Sequence, residues 1–129
     1  MVEKNIKKGI DYISVVVVFF CHDGKGNFVM AKRGSKAYDE CGCWGIGAGG
    51  VEFGEKAEDA IRREIKEEYC TDILSMEFLG YRDVFLEHQG EASQFLSLDF
   101  KVLVDPVKVK NSEPHKCDDI KWCTFDTIP

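Results

Sequence analysis

The sequence predicts an α/β fold, a mixed α/β sandwich in which many strands surround one long helix. Three observations predict it. Runs of β-branched and aromatic residues recur along the chain, as at Ile13–Phe20 and Gln94–Val104. Apolar residues between Ala57 and Tyr69 fall at helical spacing. Between these patterns lies a stretch with glycines at 45, 47, 49 and 50.

In order, Ile13–Phe20 reads as a buried strand, and Asp23-Gly24-Lys25-Gly26-Asn27 as turn chemistry. Phe28–Ala31 returns as a second strand, which makes a hairpin. Gly34–Gly42 is a polar loop, and Trp44–Val51 is glycine-rich. Ala57–Tyr69 is the helix. Ile73–Leu79, Tyr81–Glu87 and Gln94–Val104 read as three strands, the last two joined by the loop His88-Gln89-Gly90-Glu91. Pro106–Pro114 is a long connection and Ile120–Phe125 a last short strand. Asp126-Thr127-Ile128-Pro129 suits the start of a further element, with an N-cap residue ahead of proline. The expectation is therefore that a closing helix is cut off or lacking.

The 129 residues suffice for one domain, 1–129, with one core. Apolar residues make up 44% and charged residues 31%, as in ordinary globular chains. The longest apolar run, Val15–Cys21, is far short of the roughly 20 residues a bilayer needs. The opening Met1-Val2-Glu3-Lys4-Asn5 has no signal-peptide pattern. The expected location is the cytoplasm, with no membrane partner. A net charge of −6 argues against nucleic-acid binding, which rests on basic surfaces. It permits a phosphate-bearing small molecule if metal ions neutralise the repulsion, and it leaves a homodimer open. The six cysteines read as reduced thiols. Cys41, Cys43, His115 and Cys117 would be the zinc alternative, but they lack the paired C-x2-C signature.

On a helical wheel with Ala57 at zero, Ile61 falls near 40°, Ile65 near 80° and Ala60 near 300°, at about 100° per residue. Glu68 near 20° and Glu64 near 340° fall inside that apolar stripe, and Glu67 near 280° falls at its edge. Lys56, Asp59, Arg62, Arg63 and Lys66 take the outer half. Inward carboxylates are costly unless a cation pairs with them. Two readings remain open: salt bridges to Arg or Lys elsewhere, or a divalent ion, for which oxygen ligands suit Mg²⁺ or Mn²⁺.

Gly49-Gly50-Val51-Glu52-Phe53-Gly54-Glu55, then seven residues, then Arg63-Glu64-Ile65-Lys66-Glu67-Glu68, resembles the Nudix box, G-x5-E-x7-R-E-U-x-E-E-x-G-U, with U a bulky apolar residue. Two positions depart: Cys70 replaces the second glycine and Thr71 the last apolar residue. Glycine at a helix end takes a left-handed conformation cheaply, whereas cysteine there costs about 1 kcal/mol or forces a different exit. Glu113-Pro114-His115-Lys116-Cys117-Asp118 followed by Trp122 is similar to an E-P-x-K-C…W stretch of MutT-like members acting on nucleoside triphosphates.

The resemblance implies a Nudix-type α/β/α sandwich with a mixed β-sheet. It also implies a Mg²⁺- or Mn²⁺-dependent pyrophosphohydrolase whose partner is a small nucleotide, a (deoxy)nucleoside triphosphate. ADP-ribose or a nucleotide sugar is the alternative substrate, and a non-catalytic nucleotide-binding module the alternative role. Implied metal ligands are Glu64, Glu67, Glu68 and the carbonyl of Ala48. Glu64 or Glu67 is the implied general base. Arg63, counted with the catalytic set, is expected to pair with Glu55 and fix the loop to the helix. Gly49 and Gly50 would let the chain pass close to the metal, with Glu55 and Arg33 completing the substrate-binding set. Glu52 is a candidate loop support. Glu113, Asp118 or Asp119 is a candidate late carboxylate, and Tyr38, Phe85 and Trp122 are candidates for stacking on a base. His88 reads as a loop residue.

Overall fold

Strand β1 (Ser14–His22) is the spine of the sheet, with Val17, Phe19 and Cys21 buried on one face at the alternation a strand imposes. In the computed structural model, which describes residues 6–34 and 42–129 (the side chain of His88 aside), β1 runs parallel to β6 (Glu91–Val104) from Ser14 against Phe95 to His22 against Leu103. Along its other edge it pairs antiparallel with β4 (Gly47–Gly50). Strand β2 (Phe28–Arg33) meets β1 only at the hairpin end, His22 opposite Phe28, and then diverges. From there it pairs with β3 (Trp44–Gly45) and β7 (Cys117–Cys123). The sheet forks: the Trp44–Gly50 segment pairs first with β2 and then with β1. All pairings are antiparallel except β1 with β6, so the seven-stranded sheet is mixed.

Helix α1 (Ala57–Tyr69) seals one face. Ala60, Ile61, Ile65 and Tyr69 pack on Val17, Phe19, Cys21, Val29, Phe100, Val102 and Val104. A smaller cluster of Phe28, Met30 and Cys123 gathers Phe20 and Trp44, with Phe125 against Phe20 and Phe28. α1 is the sole α-helix among the described residues, so these residues form no second helical layer. In place of a helix start, Thr124–Thr127 form a turn in which the Thr127 hydroxyl accepts from the Thr124 amide at 2.8 Å, and residues 128–129 have no regular structure. No helix among the described residues is long and apolar enough to cross a membrane.

The first, second and sixth strands run two or three residues beyond the sequence reading at one end, at Ser14–His22, Phe28–Arg33 and Glu91–Val104, and four further boundaries differ. Ile73–Leu79 and Tyr81–Glu87 are one strand, β5 (Ile73–His88), because Gly80 at φ +136° is absorbed as an irregularity between Phe78 and Gly80. The expected loop 88–91 is a two-residue turn, Gln89 and Gly90 both at positive φ, as a tight hairpin of the primed type requires. The glycine-rich stretch forms β3 and β4 because it lies beside two strands with open edges. The final strand is Cys117–Cys123, since pairing with β2 sets its ends.

Cys70 keeps the left-handed exit that glycine favours, at φ 55° and ψ 29°. Its amide donates to the carbonyls of Ile65 and Lys66. Thr71 is buried, and its hydroxyl donates to the Asp105 carbonyl at 2.6 Å, which lets a polar residue stand at an apolar position. Tyr69 packs its ring edge-on to Phe19, and its buried hydroxyl has no hydrogen-bond partner among the described residues.

Cys70→Gly is expected to stabilise the fold by about 0.5–1 kcal/mol, the left-handed strain relieved less the extra freedom of glycine in the unfolded chain. Urea denaturation checks it, and a loss of stability would contradict the strain. Tyr69→Phe should be neutral or stabilising by up to about 1 kcal/mol, because it removes a donor rather than a bond. Destabilisation beyond that would reveal a bonded hydroxyl.

Candidate active site

The fork between β1 and β2 opens a cleft of about 700 Å³. α1 supplies one wall through Arg63, Glu64, Glu67 and Glu68. Ala31, Lys32 and Arg33 from β2, Trp44 from β3, and Gly47 and Ala48 from β4 line it too, as do Glu113, Lys116 and Cys117.

The helix period places the acids as the wheel requires. The Glu64 side chain is 13% exposed and that of Glu67 50% exposed. Glu64 lies flat against the β4 backbone: a Cβ on Gly49 would stand 2.1 Å from its carboxyl carbon. A side chain at 49 would have to displace the Glu64 carboxylate from the place where Arg63 holds it. At Gly50 a Cβ would have room, and what that residue contributes is its carbonyl oxygen.

Arg63 is 27% exposed and turned back over the loop rather than out to water. Its Nε and Nη2 donate to the two Glu55 carboxylate oxygens, both at 2.9 Å. Nη2 also donates to the Gly50 carbonyl at 3.0 Å, and Nη1 to Glu64 Oε1 at 2.8 Å. Glu67 is a looser neighbour at 3.7 Å. Glu55 also accepts from the Glu52 amide at 3.1 Å, so Glu52 supports the loop through its backbone. The Arg63 bonds hold the Glu55 carboxyl below its ordinary range.

Burial pushes Glu64 up, opposed by Arg63 and assisted by Glu67 and Glu113. Burial pushes Glu68 up to about 8, assisted by Glu64 and Glu113 and opposed by Arg33 and Lys116. The carboxylates therefore form a crowded acidic wall with cations at its rim.

Of the three late acids, Glu113 is the one brought to the cleft; Asp118 and Asp119 are exposed and do not line it. Its loop docks on the helix end, where the Lys110 amide donates to the Tyr69 carbonyl and the Ser112 amide to the Glu68 carbonyl. Asn111 braces that loop, donating to the Cys117 carbonyl at 2.9 Å and accepting from the Glu113 amide at 3.2 Å. Asn111 and Lys116 are additions to the sequence-derived set; the E-P-x-K-C stretch was the available signal for Lys116.

The stacking candidates are corrected. Phe85 stands on the far edge strand and Trp122 packs against the core, neither lining the cleft, because strand pairing rather than aromatic character sets where they point. Trp44 lines it instead. Tyr38 and Cys41 lie outside the described residues. Cys43 and Cys117 line the cleft, while His115 is exposed and does not.

Among the described residues, no three His, Cys, Asp or Glu side chains already converge as a ligand set. The donor chemistry nevertheless fits a divalent ion. Glu68 and Glu64 are acids raised first by burial and then by acidic neighbours, Glu64 and Glu113 for Glu68 and Glu67 and Glu113 for Glu64, a cost that a dication relieves. Mg²⁺ in particular takes few protein oxygens and completes its shell with water and phosphate.

A family profile described as NUDIX domain matches residues 11–129. Among solved structures, a MutT NUDIX hydrolase from Burkholderia pseudomallei superposes with a TM-score of 0.79 at 24% identity, covering 92% of this chain and 88% of that one. A NUDIX hydrolase from Nitrosomonas europaea gives 0.69 at 19%, over 89% and 74%. A MutT protein from Methanosarcina mazei Go1 gives 0.67 at 20%, over 91% and 85%. At these identities the likeness is one of fold.

In chelator, stability is expected to fall as pH rises. A glutamate in the unfolded chain loses its proton near about pH 4.3, whereas Glu68 keeps it to about 8. Between those values the folded state holds the extra proton, so the unfolded state gains with pH. Thermal melts from pH 5 to 8 should show this slope, and Glu68→Gln should flatten it; an unchanged slope in the variant would refute the assignment.

Proposed function

The chain belongs to the Nudix hydrolase superfamily, whose members cleave the diphosphate linkage of nucleoside diphosphate derivatives, and from that premise we propose that this protein hydrolyses a (deoxy)nucleoside triphosphate with Mg²⁺ or Mn²⁺. The observation that carries the reading is the polarity of one cleft: Glu64, Glu67, Glu68 and Glu113 on the acidic side, with Lys32, Arg33 and Lys116 among the other lining residues. A triphosphate needs both sides, cation-binding acids for the linkage that breaks and basic groups for the phosphates beyond it.

Glu64, Glu67, Glu68 and the Ala48 carbonyl would hold the ions. Divalent ions there neutralise the diphosphate and make a water molecule more acidic. Glu67 is the better candidate to take the proton of the attacking water, because Glu64 is engaged by Arg63 at 2.8 Å while Glu67, among the described residues, has Arg63 as a looser neighbour at 3.7 Å. Arg63 acts as a positioning residue: it holds Glu55, Gly50 and Glu64 in one arrangement. Arg33 and Lys116 would bind phosphate oxygens and Trp44 would face the nucleoside.

A nucleotide panel with Mg²⁺ and Mn²⁺, with products identified, tests this. A triphosphate should yield pyrophosphate and a monophosphate, whereas ADP-ribose as the true substrate would yield AMP and ribose phosphate. Glu67→Gln should lower kcat by about 10²–10⁴-fold with the fold intact, and Glu68→Gln should raise the metal concentration needed. Full activity in both variants, or nucleotide binding without turnover of any substrate, would defeat the proposal.

A further inference from the structure

We propose that two copies of this chain associate by antiparallel pairing of their β5 strands, with the two-fold axis between Leu79 and Gly80. β5 is a 16-residue strand, and among the described residues only β6 pairs with it. Its outer edge therefore presents backbone groups to solvent, the usual template for pairing with another chain. It also carries large apolar side chains in the open, among them Tyr81 at 67%, Phe78 at 57% and Leu79 at 57% exposure. Isolated exposed apolar residues are ordinary, but a row of them along an open edge marks an interaction site.

What selects a second copy as occupant is self-complementarity. The irregularity between Phe78 and Gly80 puts Phe78, opposite Phe100, on the same face as Tyr81, opposite Leu98. Glu77, opposite Lys101, and Arg82, opposite Ser97, then share the other face. A two-fold axis between Leu79 and Gly80 sets Phe78 against the partner's Tyr81 and Glu77 against the partner's Arg82, each pair occurring twice. Ser75 meets the partner's Val84 on a matching face. Met76 meets the partner's Asp83, a poor pair with Asp83 exposed at the rim, and the match ends near there, because the irregularity between Ile73 and Ser75 puts Ile73 and the partner's Leu86 on opposite faces.

Across the junction an apolar row would run Phe100, Phe78, the partner's Tyr81, the partner's Leu98. On the reverse face charges alternate: Lys101, Glu77, the partner's Arg82, and the partner's Asp99, which Arg82 already bonds within its own chain. Neighbouring registers lack this match. Centring on Asp83 opposes that acid to its own copy, and centring on Phe85 opposes Asp83 to Glu87. Like charges directly opposite destabilise a sheet.

Sedimentation over a wide concentration range should show a monomer–dimer equilibrium. Glu77→Arg, which sets arginine against Arg82, should weaken it about tenfold or more. Tyr81→Lys, at a side chain exposed in the monomer, should abolish it with the circular dichroism unchanged. Register is read by mixing Phe78→Cys with Tyr81→Cys: disulfide joining 78 to 81 across the two chains is expected, and little joining within either variant alone. A monomer at every concentration, a dimer that survives Tyr81→Lys, or cross-linking with another register overturns the proposal.

Discussion

The site depends first on the Arg63 guanidinium. It is charged under all working conditions, its donors form a planar fork, and here it bonds two carboxylates and one backbone carbonyl. A lysine could supply the charge but not the simultaneous geometry. Because Gly50 ends β4, Glu55 belongs to the loop and Glu64 to the helix, the fork ties strand end, loop and helix into one piece. Glu64 can then lie against Gly49 in a place from which a side chain at 49 would displace it. The positions of Arg63, Glu55, Glu64 and Gly49 are one constraint rather than four.

That clamp also divides the acids. One Arg63 compensates Glu55 and part of Glu64, while for Glu68, on the inner side of the helix, Arg33 and Lys116 are the cations among the described residues that oppose its burial and two acidic neighbours. Loop and helix together thus hold one satisfied carboxylate, Glu55, one shared, Glu64, and one costly, Glu68. A purely structural set of salt bridges would leave all of them satisfied. The residual cost falls on the carboxylate deepest in the cleft, where a multivalent ion would recover it.

Much of this was legible in the sequence because it is periodic. The 3.6-residue repeat places Glu64 and Glu68 inward and Glu67 at the margin without any tertiary information. The Glu55–Arg63 pair follows from box spacing. Gly80 misled because a glycine between two apolar runs ordinarily marks a turn, whereas a strand paired along its full length can absorb it as a bulge. Glu113 could not be separated from Asp118 and Asp119 by composition, since loop docking on the helix end selects it. The aromatics failed for the same reason: Trp44 faces the cleft and Trp122 the core because β2 pairs with β3 on one edge and β7 on the other.

Cys70 shows how a departure from the family pattern leaves the site whole. What the helix end requires is a conformation, and the cysteine adopts it. With the left-handed turn kept, the Cys70 amide caps the Ile65 and Lys66 carbonyls, and Thr71 is delivered to Asp105. The last two carbonyls of the helix, of Glu68 and Tyr69, receive the Ser112 and Lys110 amides. Those bonds carry the loop that holds Glu113 beside Glu68. A different exit would redirect the last carbonyls, undock that loop and remove the fourth acid from the cleft. Strain at one residue is therefore tolerated because the backbone it preserves positions a side chain some forty residues away along the chain.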